Sequence, residues 1–276
     1  MSSILVTDDD ATTRQLVQGI LKKAGYTVAT ACDGLAALRT MRKKRFDLVL
    51  LDIWMPKMTG LGLLGQLPTE KYVPKIIVMT SDQTTDTMFE ALRGRVYQYL
   101  RKPVEAYSLL NIVENALSVS PETPAIEVIS AHPQWVELML PCERSVVGRV
   151  QSFLGNMDVD LSPDIIEKVG YAFRELLNNA IEWGGHLDPN LKVRVSYIRS
   201  KKLLMYRLDD PGPGFRLEGL KHAAINNPLD DPMAHMQERE AKGLRAGGLG
   251  LMLTKQLVDE LIYNEKGNSV VMIKYL

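Results

Sequence analysis

The stretch Phe46-Asp47-Leu48-Val49-Leu50-Leu51-Asp52 is a short, mostly apolar run that ends in a carboxylate. Three further apolar runs, at residues 4–7, 75–79 and 97–100, are separated by segments long enough for helices. Short apolar runs with this spacing are typical of buried parallel strands that alternate with helices. The first half of the chain is therefore predicted to be an α/β domain with a doubly wound parallel sheet of flavodoxin-like order.

Polar side chains follow these runs at the point where each strand is expected to end. They are Asp8 and Asp9, Asp52, Thr80 and Lys102. Because the carboxyl ends of parallel strands meet at one edge of a sheet, we expect these groups to converge. Clustered carboxylates repel one another unless a hard cation lies among them, and Mg²⁺ prefers oxygen ligands. The set predicts a magnesium-assisted phosphoryl transfer onto a carboxylate.

Each group has a chemical role in such a transfer. An oxygen of Asp52 is the expected nucleophile, Lys102 and Thr80 would contact phosphoryl oxygens, and the backbone carbonyl of Trp54 would join the metal ligands. An Asp pair after a strand is also typical of a plain helix start, and we expect Asp10 to cap the first helix. The five positions taken together favour the site.

This pattern strongly resembles the receiver domain of bacterial two-component response regulators, over about residues 1–118. The resemblance implies Mg²⁺ as a cofactor and an upstream sensor histidine kinase as a partner. It also implies a set of roles: Asp52 as phospho-acceptor, Asp8 and Asp9 as metal ligands, Thr80 as switch hydroxyl, Lys102 as active-site lysine and Tyr99 as rotating aromatic. One departure is Arg95, which stands where a glycine turn is expected after the fourth helix of the pattern.

The composition favours a cytoplasmic protein with two domains. The chain has 276 residues, 33 basic and 33 acidic side chains, and 46% hydrophobic residues. Balanced charge gives no field that attracts nucleic acid or anionic membrane, so we expect neither as a direct partner. Two cysteines are too few for a disulfide framework, no apolar run approaches membrane-spanning length, and no signal peptide is expected.

A domain boundary is predicted near residue 120, where Ser120-Pro121-Glu122-Thr123-Pro124 breaks a helical stripe. The predicted domains are residues 1–119 and 132–276, with a linker at 120–131. In the second domain, we expect helices with a mixed, mostly antiparallel sheet, which together make an α/β sandwich. The expected elements are an edge strand at 135–140, helices at about 143–157 and 162–183, strands at 192–198 and 203–208, a helix at 249–261 and a strand at 270–275.

Three motifs in the second domain belong together. Glu175 and Asn179 are four residues apart and share one helical face. Asp210 opens Asp210-Pro211-Gly212-Pro213-Gly214 after a strand, and Gly247-Gly248-Leu249-Gly250 precedes a helix. Glycines before a helix let the backbone approach phosphates, and the helix start supplies N–H donors. Each motif alone is typical of a turn, a connection or a polar face, but their order indicates a nucleotide site.

The arrangement resembles the ATP-binding domain shared by histidine kinases, gyrase-type ATPases and anti-sigma-factor serine kinases, and it is most similar to the last. The resemblance implies ATP and Mg²⁺ as cofactors, and an anti-anti-sigma-type protein or a sigma factor as partner. It makes Asn179 the magnesium ligand, Glu175 the base and Asp210 the adenine contact. The phosphate pocket would be shaped by four glycines: Gly212, Gly214, Gly248 and Gly250. Trp183 stands where these kinases commonly have histidine, so it receives no role.

The expected function is a response regulator in which phosphorylation of Asp52 controls a serine/threonine kinase domain. None of the four histidines lies on a helical hairpin between the domains, which argues against autophosphorylation on histidine. They are His132, His186, His222 and His235. Alternatives are an ATP-binding adaptor or anti-sigma module without phosphoryl transfer, a histidine kinase-like ATPase output, and a DNA-binding regulator, which charge balance disfavours. A homodimer is possible, although no exposed stripe specifies one.

Overall fold

The computed structural model describes residues 2–67, 72–81, 96–118, 126–132, 134–158, 160–216, 224, 231, 233–241 and 248–276. The chain divides into two compact units, Met1–Thr123 and Pro124–Leu276. Each unit contains its own sheet. No helix within the described residues is both long enough and apolar enough to cross a membrane.

The first unit contains a five-stranded parallel sheet in the order β2-β1-β3-β4-β5. This order confirms the predicted flavodoxin-like topology. The central strand β3 is buried along its whole length, which explains why its sequence is a continuous apolar run. The strands are β1 (Ser3–Thr7), β2 (Thr27–Ala31), β3 (Leu48–Asp52), β4 (Lys75–Thr80) and β5 (Gln98–Arg101).

Four described helices accompany this sheet: α1 (Ala11–Lys23), α2 (Gly34–Lys43), α3 (Gly60–Gln66) and α4 (Ala106–Ser118). Asp10 caps α1, as expected, by accepting hydrogen bonds from the backbone N–H groups of Thr12 and Thr13 at 3.3 and 2.8 Å. Apolar residues of α1 and α4 join the strands in one core. The helix expected between β4 and β5 lies outside the described residues, and so does Arg95, which follows that helix in the sequence.

The second unit contains a six-stranded sheet in the order β10-β11-β9-β8-β7-β6, and every pairing is antiparallel. The strands are β6 (Glu127–His132), β7 (Trp135–Pro141), β8 (Lys192–Arg199), β9 (Leu203–Asp209), β10 (Glu260–Tyr263) and β11 (Ser269–Tyr275). The strand predicted at the edge, β7, is internal because β6 pairs with its outer side. Residues 127–131, assigned to the linker by sequence, therefore belong to the sheet.

The helices within the described part of this unit are α5 (Ser145–Met157), α6 (Pro163–Asn179), α7 (Ala234–Ala241) and α8 (Gly250–Leu257). Ser162 caps α6, and a π-helical turn at Ala180–Gly184 continues it. The helix predicted at 249–261 ends at Leu257, because Val258 turns to extended backbone and the N–H of Asp259 donates to the carbonyl of Ile273. The chain then pairs as β10.

Candidate functional sites

The carboxylates of Asp8, Asp9 and Asp52 meet at one edge of the parallel sheet. Asp52 is the last residue of β3, and the other two directly follow β1, its neighbour in the sheet. One oxygen from each of the three lies within 4.8 Å of the others. Asp8 and Asp52 are buried, with 0% and 5% of their surface exposed, and Asp9 is exposed. The convergence follows from strand order, as the sequence indicates.

Lys102 supplies the positive charge in this cluster. Its Nζ donates to Oδ2 of Asp52 at 2.6 Å and lies 2.9 Å from Oδ2 of Asp8. Burial raises the pKa of the Asp52 carboxyl, and Lys102 opposes that rise without cancelling it. Burial alone would lower the pKa of Lys102, but its hydrogen bonds to Asp52 and Asp8 outweigh burial and raise it.

The donor set of this site fits a magnesium ion. Among the residues that the structure describes, three carboxylates face one ammonium, so the ionised cluster retains excess negative charge that a hard divalent cation would neutralise. All the side-chain ligands are oxygens, which Mg²⁺ prefers. Asp8, Asp9 and Asp52 are the residues that would hold the ion.

Thr80 and Tyr99 lie on the neighbouring strands β4 and β5. Thr80 ends β4 with 6% of its surface exposed, and its backbone carbonyl accepts a hydrogen bond from the N–H of Lys102 at 3.0 Å. Tyr99 is 7% exposed, an inward position, and burial raises the pKa of its hydroxyl. Thr80, Lys102 and the acceptor Asp52 therefore lie at or directly after the ends of the neighbouring strands β4, β5 and β3.

In the second unit, the structure brings Glu175 to the beginning of α8. A Cβ atom added to Gly250, the first residue of α8, would lie 2.2 Å from Oε2 of Glu175, so the carboxylate lies directly against this glycine. Asn179 is the last residue of α6, one turn after Glu175. The helical carboxylate thus adjoins a helix N-terminus, the type of position that binds phosphates.

Asp210 follows β9 and is fixed by its own turn. Its Oδ1 accepts a hydrogen bond from the N–H of Gly212 at 2.8 Å, and its backbone carbonyl accepts one from the side chain of Asn268 at 3.2 Å. A Cβ atom on Gly184 would lie 2.2 Å from Oδ1 of Asp210, so the π-helical turn closely approaches this carboxylate. Burial raises the pKa of Asp210.

The remaining predicted glycines occupy turns near these elements. Gly214 and Gly248 have φ angles of 81° and 101°, a region that favours glycine. The carbonyl of Gly248 accepts a hydrogen bond from the N–H of Ala224 at 2.9 Å. Gly247 and most of the polar stretch between residues 216 and 246 lie outside the described residues.

Two residues of the nucleotide region were missed in the sequence. The helix predicted at about 162–183 ended just before Gly184, and no sequence pattern indicated that Gly184 would lie against Asp210. Asn268 carries no motif, since its role comes from the pairing of β11 with β9, which places it beside Asp210. Both residues shape the position of the Asp210 carboxylate.

Comparison with known proteins agrees with this division. The family described as "Response regulator receiver domain" matches residues 4–114, and the "Histidine kinase-like ATPase domain" family matches residues 142–274. Transcriptional regulatory protein ZraR of Klebsiella oxytoca is 40% identical over 131 residues, which cover 45% of this chain and 30% of ZraR. This chain therefore spans less than a third of the length of that relative.

DNA-binding response regulator MtrA of Mycobacterium tuberculosis (strain CDC 1551 / Oshkosh) is 30% identical over 202 residues, covering 72% of this chain and 86% of MtrA. The structure of the chemotaxis response regulator CheY4 of Vibrio cholerae is 31% identical, with a TM-score of 0.41, and covers 42% of this chain and 99% of CheY4. The chain belongs to the response regulators, and it joins a receiver domain to a histidine kinase-like ATPase domain.

Proposed function

We propose that a sensor histidine kinase phosphorylates Asp52 and that this modification controls ATP-dependent phosphorylation of a protein partner by the second domain. The partner would carry a serine or threonine acceptor, as an anti-anti-sigma-type protein does; alternatively, the domain would sequester a sigma factor. Asp52, Thr80 and Lys102 would carry out the first reaction with Mg²⁺. Glu175, Asn179 and Asp210 would serve the second.

The buried acceptor cluster supports the first reaction. In the receiver, an oxygen of Asp52 attacks the phosphorus of a phosphohistidine, and the imidazole leaves. Asp8 and Asp9 would hold the metal, which would supply positive charge beside the transferring group. Lys102 contacts two of the carboxylates and would shift to a phosphoryl oxygen as the new charge develops.

A single contact carries the kinase proposal: Glu175 adjoins Gly250 at the N-terminus of α8. Helix N-termini bind phosphates, so a carboxylate at this position lies where a hydroxyl would attack the terminal phosphoryl group. Glu175 would accept the hydroxyl proton. Its negative charge would repel the nucleotide unless Mg²⁺ accompanies it, and Asn179 offers an amide oxygen to that ion.

Asp210 supports nucleotide specificity. A carboxylate with Oδ1 held by its own turn keeps its second oxygen available to accept a hydrogen bond from an exocyclic amine, as adenine presents. Guanine presents a carbonyl oxygen at the equivalent position, which a carboxylate would repel. The proposal therefore includes a preference for ATP over GTP.

The experiment is incubation of the full chain with Mg²⁺ and γ-labelled ATP, together with anti-anti-sigma-type and sigma-factor proteins encoded in the same genome. Label is expected on a serine or threonine of the anti-anti-sigma-type protein, and the rate of labelling is expected to change when beryllofluoride occupies Asp52. Glu175→Gln should reduce transfer by a factor of about 10²–10⁴, the usual contribution of a general base, while ATP still binds.

Asp52→Asn is the matched control for regulation, because it should abolish the beryllofluoride effect while leaving basal transfer intact. Equal transfer rates with and without beryllofluoride in the unmodified chain would contradict the coupling. Failure of the chain to bind Mg²⁺-ATP in calorimetry would contradict the kinase proposal as a whole.

A second candidate is an ATP-binding adaptor that captures its partner without phosphoryl transfer. The family assignment favours a nucleotide site but not a particular output, so the same incubation distinguishes the two. An adaptor would bind its partner in the presence of ATP, leave no label on it, and be insensitive to Glu175→Gln. Label on a histidine of this chain would instead indicate a histidine kinase-like output.

A further inference from the structure

The loop between β3 and α3, residues 53–59, connects directly to the acceptor carboxylate. Its first N–H, that of Ile53, donates to Oδ1 of Asp52 at 2.7 Å, and the carbonyl of Ile53 accepts from Gly60 at 2.8 Å. Both ends of the loop are therefore fixed. Trp54 lies within this loop, and its backbone carbonyl is the expected additional magnesium ligand. The position of that carbonyl therefore depends on the contacts that hold the middle of the loop.

The N-terminus of α2 holds the middle of this loop through two successive residues. The Nζ of Lys57 donates to Oδ2 of Asp33 at 2.7 Å, and the N–H of Gly34 donates to the carbonyl of Met58 at 3.1 Å. A Cβ atom on Gly34 would lie 2.6 Å from that carbonyl oxygen, so the two segments touch as backbones. Asp33 also caps α2 by accepting from the N–H of Ala36.

Lys57 is held in an uncommon conformation. Its φ angle is 65°, in the left-handed region that side-chain-bearing residues seldom occupy unless their surroundings fix them. Asp33 is 1% exposed, whereas the Lys57 side chain is 63% exposed. The hydrogen bond between them lowers the pKa of Asp33 and raises that of Lys57, so both remain charged near neutrality.

We propose that Asp33 and Lys57 are positioning residues for the receiver's magnesium ion: by tying the β3–α3 loop to α2, they fix the Trp54 carbonyl relative to the three carboxylates. This inference rests on the proposed magnesium site. Neither residue is among the ligands, so each acts through the loop. Residues that do not bind a metal but orient its ligands commonly influence the metal affinity of the site as strongly as some of the ligands do.

The test uses Trp54 as a fluorescent probe in the full chain. The chain has three tryptophans, and Trp135→Phe with Trp183→Phe leaves only the one beside Asp52. MgCl₂ is titrated without nucleotide. Asp33→Asn removes the charge but retains a residue that caps helices equally well, and Lys57→Asn removes the ammonium but tolerates positive φ. Each is expected to raise the magnesium Kd about tenfold.

The double variant separates a shared contact from two independent losses. Because one ion pair carries both effects, Asp33→Asn with Lys57→Asn is expected to bind magnesium no more weakly than either single variant. Asp164→Asn, which removes a comparable charge from the exposed Lys168 pair in the second unit, is the control and should leave the Kd unchanged.

The inference is overturned if both single variants bind magnesium within twofold of the background chain, even if their melting temperatures fall. Additive losses in the double variant would overturn it too, since the residues would then not act as a pair. If the background chain itself binds no magnesium, the magnesium site of the proposed function fails first, and the outcome is recognisable as such.

Discussion

In the receiver domain, Lys102 lies within 2.9 Å of two buried carboxylates, whereas the Asp210 carboxylate in the ATPase domain is held by the backbone N–H of Gly212 and by closely packed glycines. We call the receiver arrangement the charge-built site, because ion pairs set its geometry. We call the Asp210 arrangement the shape-built site, because close packing sets its geometry. A charge-built site depends on pH and on cations, while a shape-built site depends on the absence of single methyl groups. The two domains should therefore fail under different perturbations.

Removal of the receiver's ammonium tests the charge-built site most severely. Lys102→Met leaves Asp8 and Asp52 buried without their partner, and loss of one member of a buried pair typically costs about 3 kcal/mol. At neutral pH in EDTA, the free energy of unfolding of the receiver in urea should fall by that amount. Added Mg²⁺ should restore most of it, because the ion replaces the missing positive charge.

The matched control is Lys168→Met, which removes an ammonium from an exposed pair with Asp164 in the second domain. Exposed pairs of this kind contribute about 0.5 kcal/mol, and Mg²⁺ should not alter the result. A Lys102→Met chain whose stability is insensitive to Mg²⁺ would show that the carboxylates do not form a metal site.

A single methyl group tests the shape-built site. Gly184→Ala would place a Cβ atom 2.2 Å from Oδ1 of Asp210, and such overpacking costs roughly 1–3 kcal/mol. If the cost appears as displacement of Asp210, the affinity for Mg²⁺-ATP in calorimetry should fall by about 10- to 100-fold. Magnesium binding at the receiver should be unaffected.

Gly155→Ala on α5 is the control, because a Cβ atom there would have no neighbour within 4 Å. Alanine also favours a helix, so this variant is expected to be neutral or slightly stabilising. Unchanged ATP affinity in Gly184→Ala would mean that Asp210 does not read the nucleotide, or that the π-helical turn moves freely away from it.

The raised pKa of Asp52 predicts a pH dependence for the receiver. Between the pKa of an unfolded aspartate and the higher value in the fold, the native state holds a proton that the unfolded chain has released. Stability in EDTA should therefore decrease as pH rises through that window. Asp52→Asn removes this contribution and should stabilise the metal-free receiver at pH 7.

The measurement is urea unfolding between pH 4 and 7, in which Asp52→Asn should show a weaker decrease with pH than the unmodified chain. Asp210→Asn provides the comparison in the second domain, since burial also raises the pKa of Asp210. An identical pH slope in Asp52→Asn and the unmodified chain would refute the assignment of this titration to Asp52.

The receiver was predictable from sequence because its site residues each end an apolar run, and strand order alone brings them together. Asp8, Asp52 and Thr80 needed no knowledge of side-chain packing. By contrast, the contact between Gly184 and Asp210 joins a helix end to a strand end by close approach, which no sequence pattern encodes. The Asp33–Lys57 pair was missed for the same reason, since both residues resemble ordinary turn residues.

The two edge strands of the second sheet, β6 and β10, were also not predicted from the sequence. The register of β6 shifts between Val128 and Ser130, so the alternation that identifies a strand is broken after two residues. Strand β10 has four residues and follows a helix whose apolar spacing continues through Leu261, which favoured a longer helix. Both strands depend on pairing with a long neighbour, and pairing is decided by the whole sheet.

Two helix caps, one charged and one neutral, give the smallest stability effects expected in this comparison. Asp10 caps α1 with a carboxylate whose pKa is lowered by hydrogen bonds from the Thr13 side chain and the Thr13 and Thr12 backbone. Ser162 caps α6 with a neutral hydroxyl at 3.4 Å from the N–H of Ile165. Ser162→Ala should cost about 0.5 kcal/mol at any pH, because hydroxyls do not titrate.

Asp10→Ala should behave differently with pH. A carboxyl whose pKa is lowered by folding contributes stability above its unfolded pKa and loses it as pH falls through the folded value. The stability difference between Asp10→Ala and the unmodified chain should thus shrink in acid, while that of Ser162→Ala stays constant in urea unfolding. If both differences are independent of pH, the Asp10 cap acts through its shape alone, and the receiver depends less on charge than its acceptor cluster indicates.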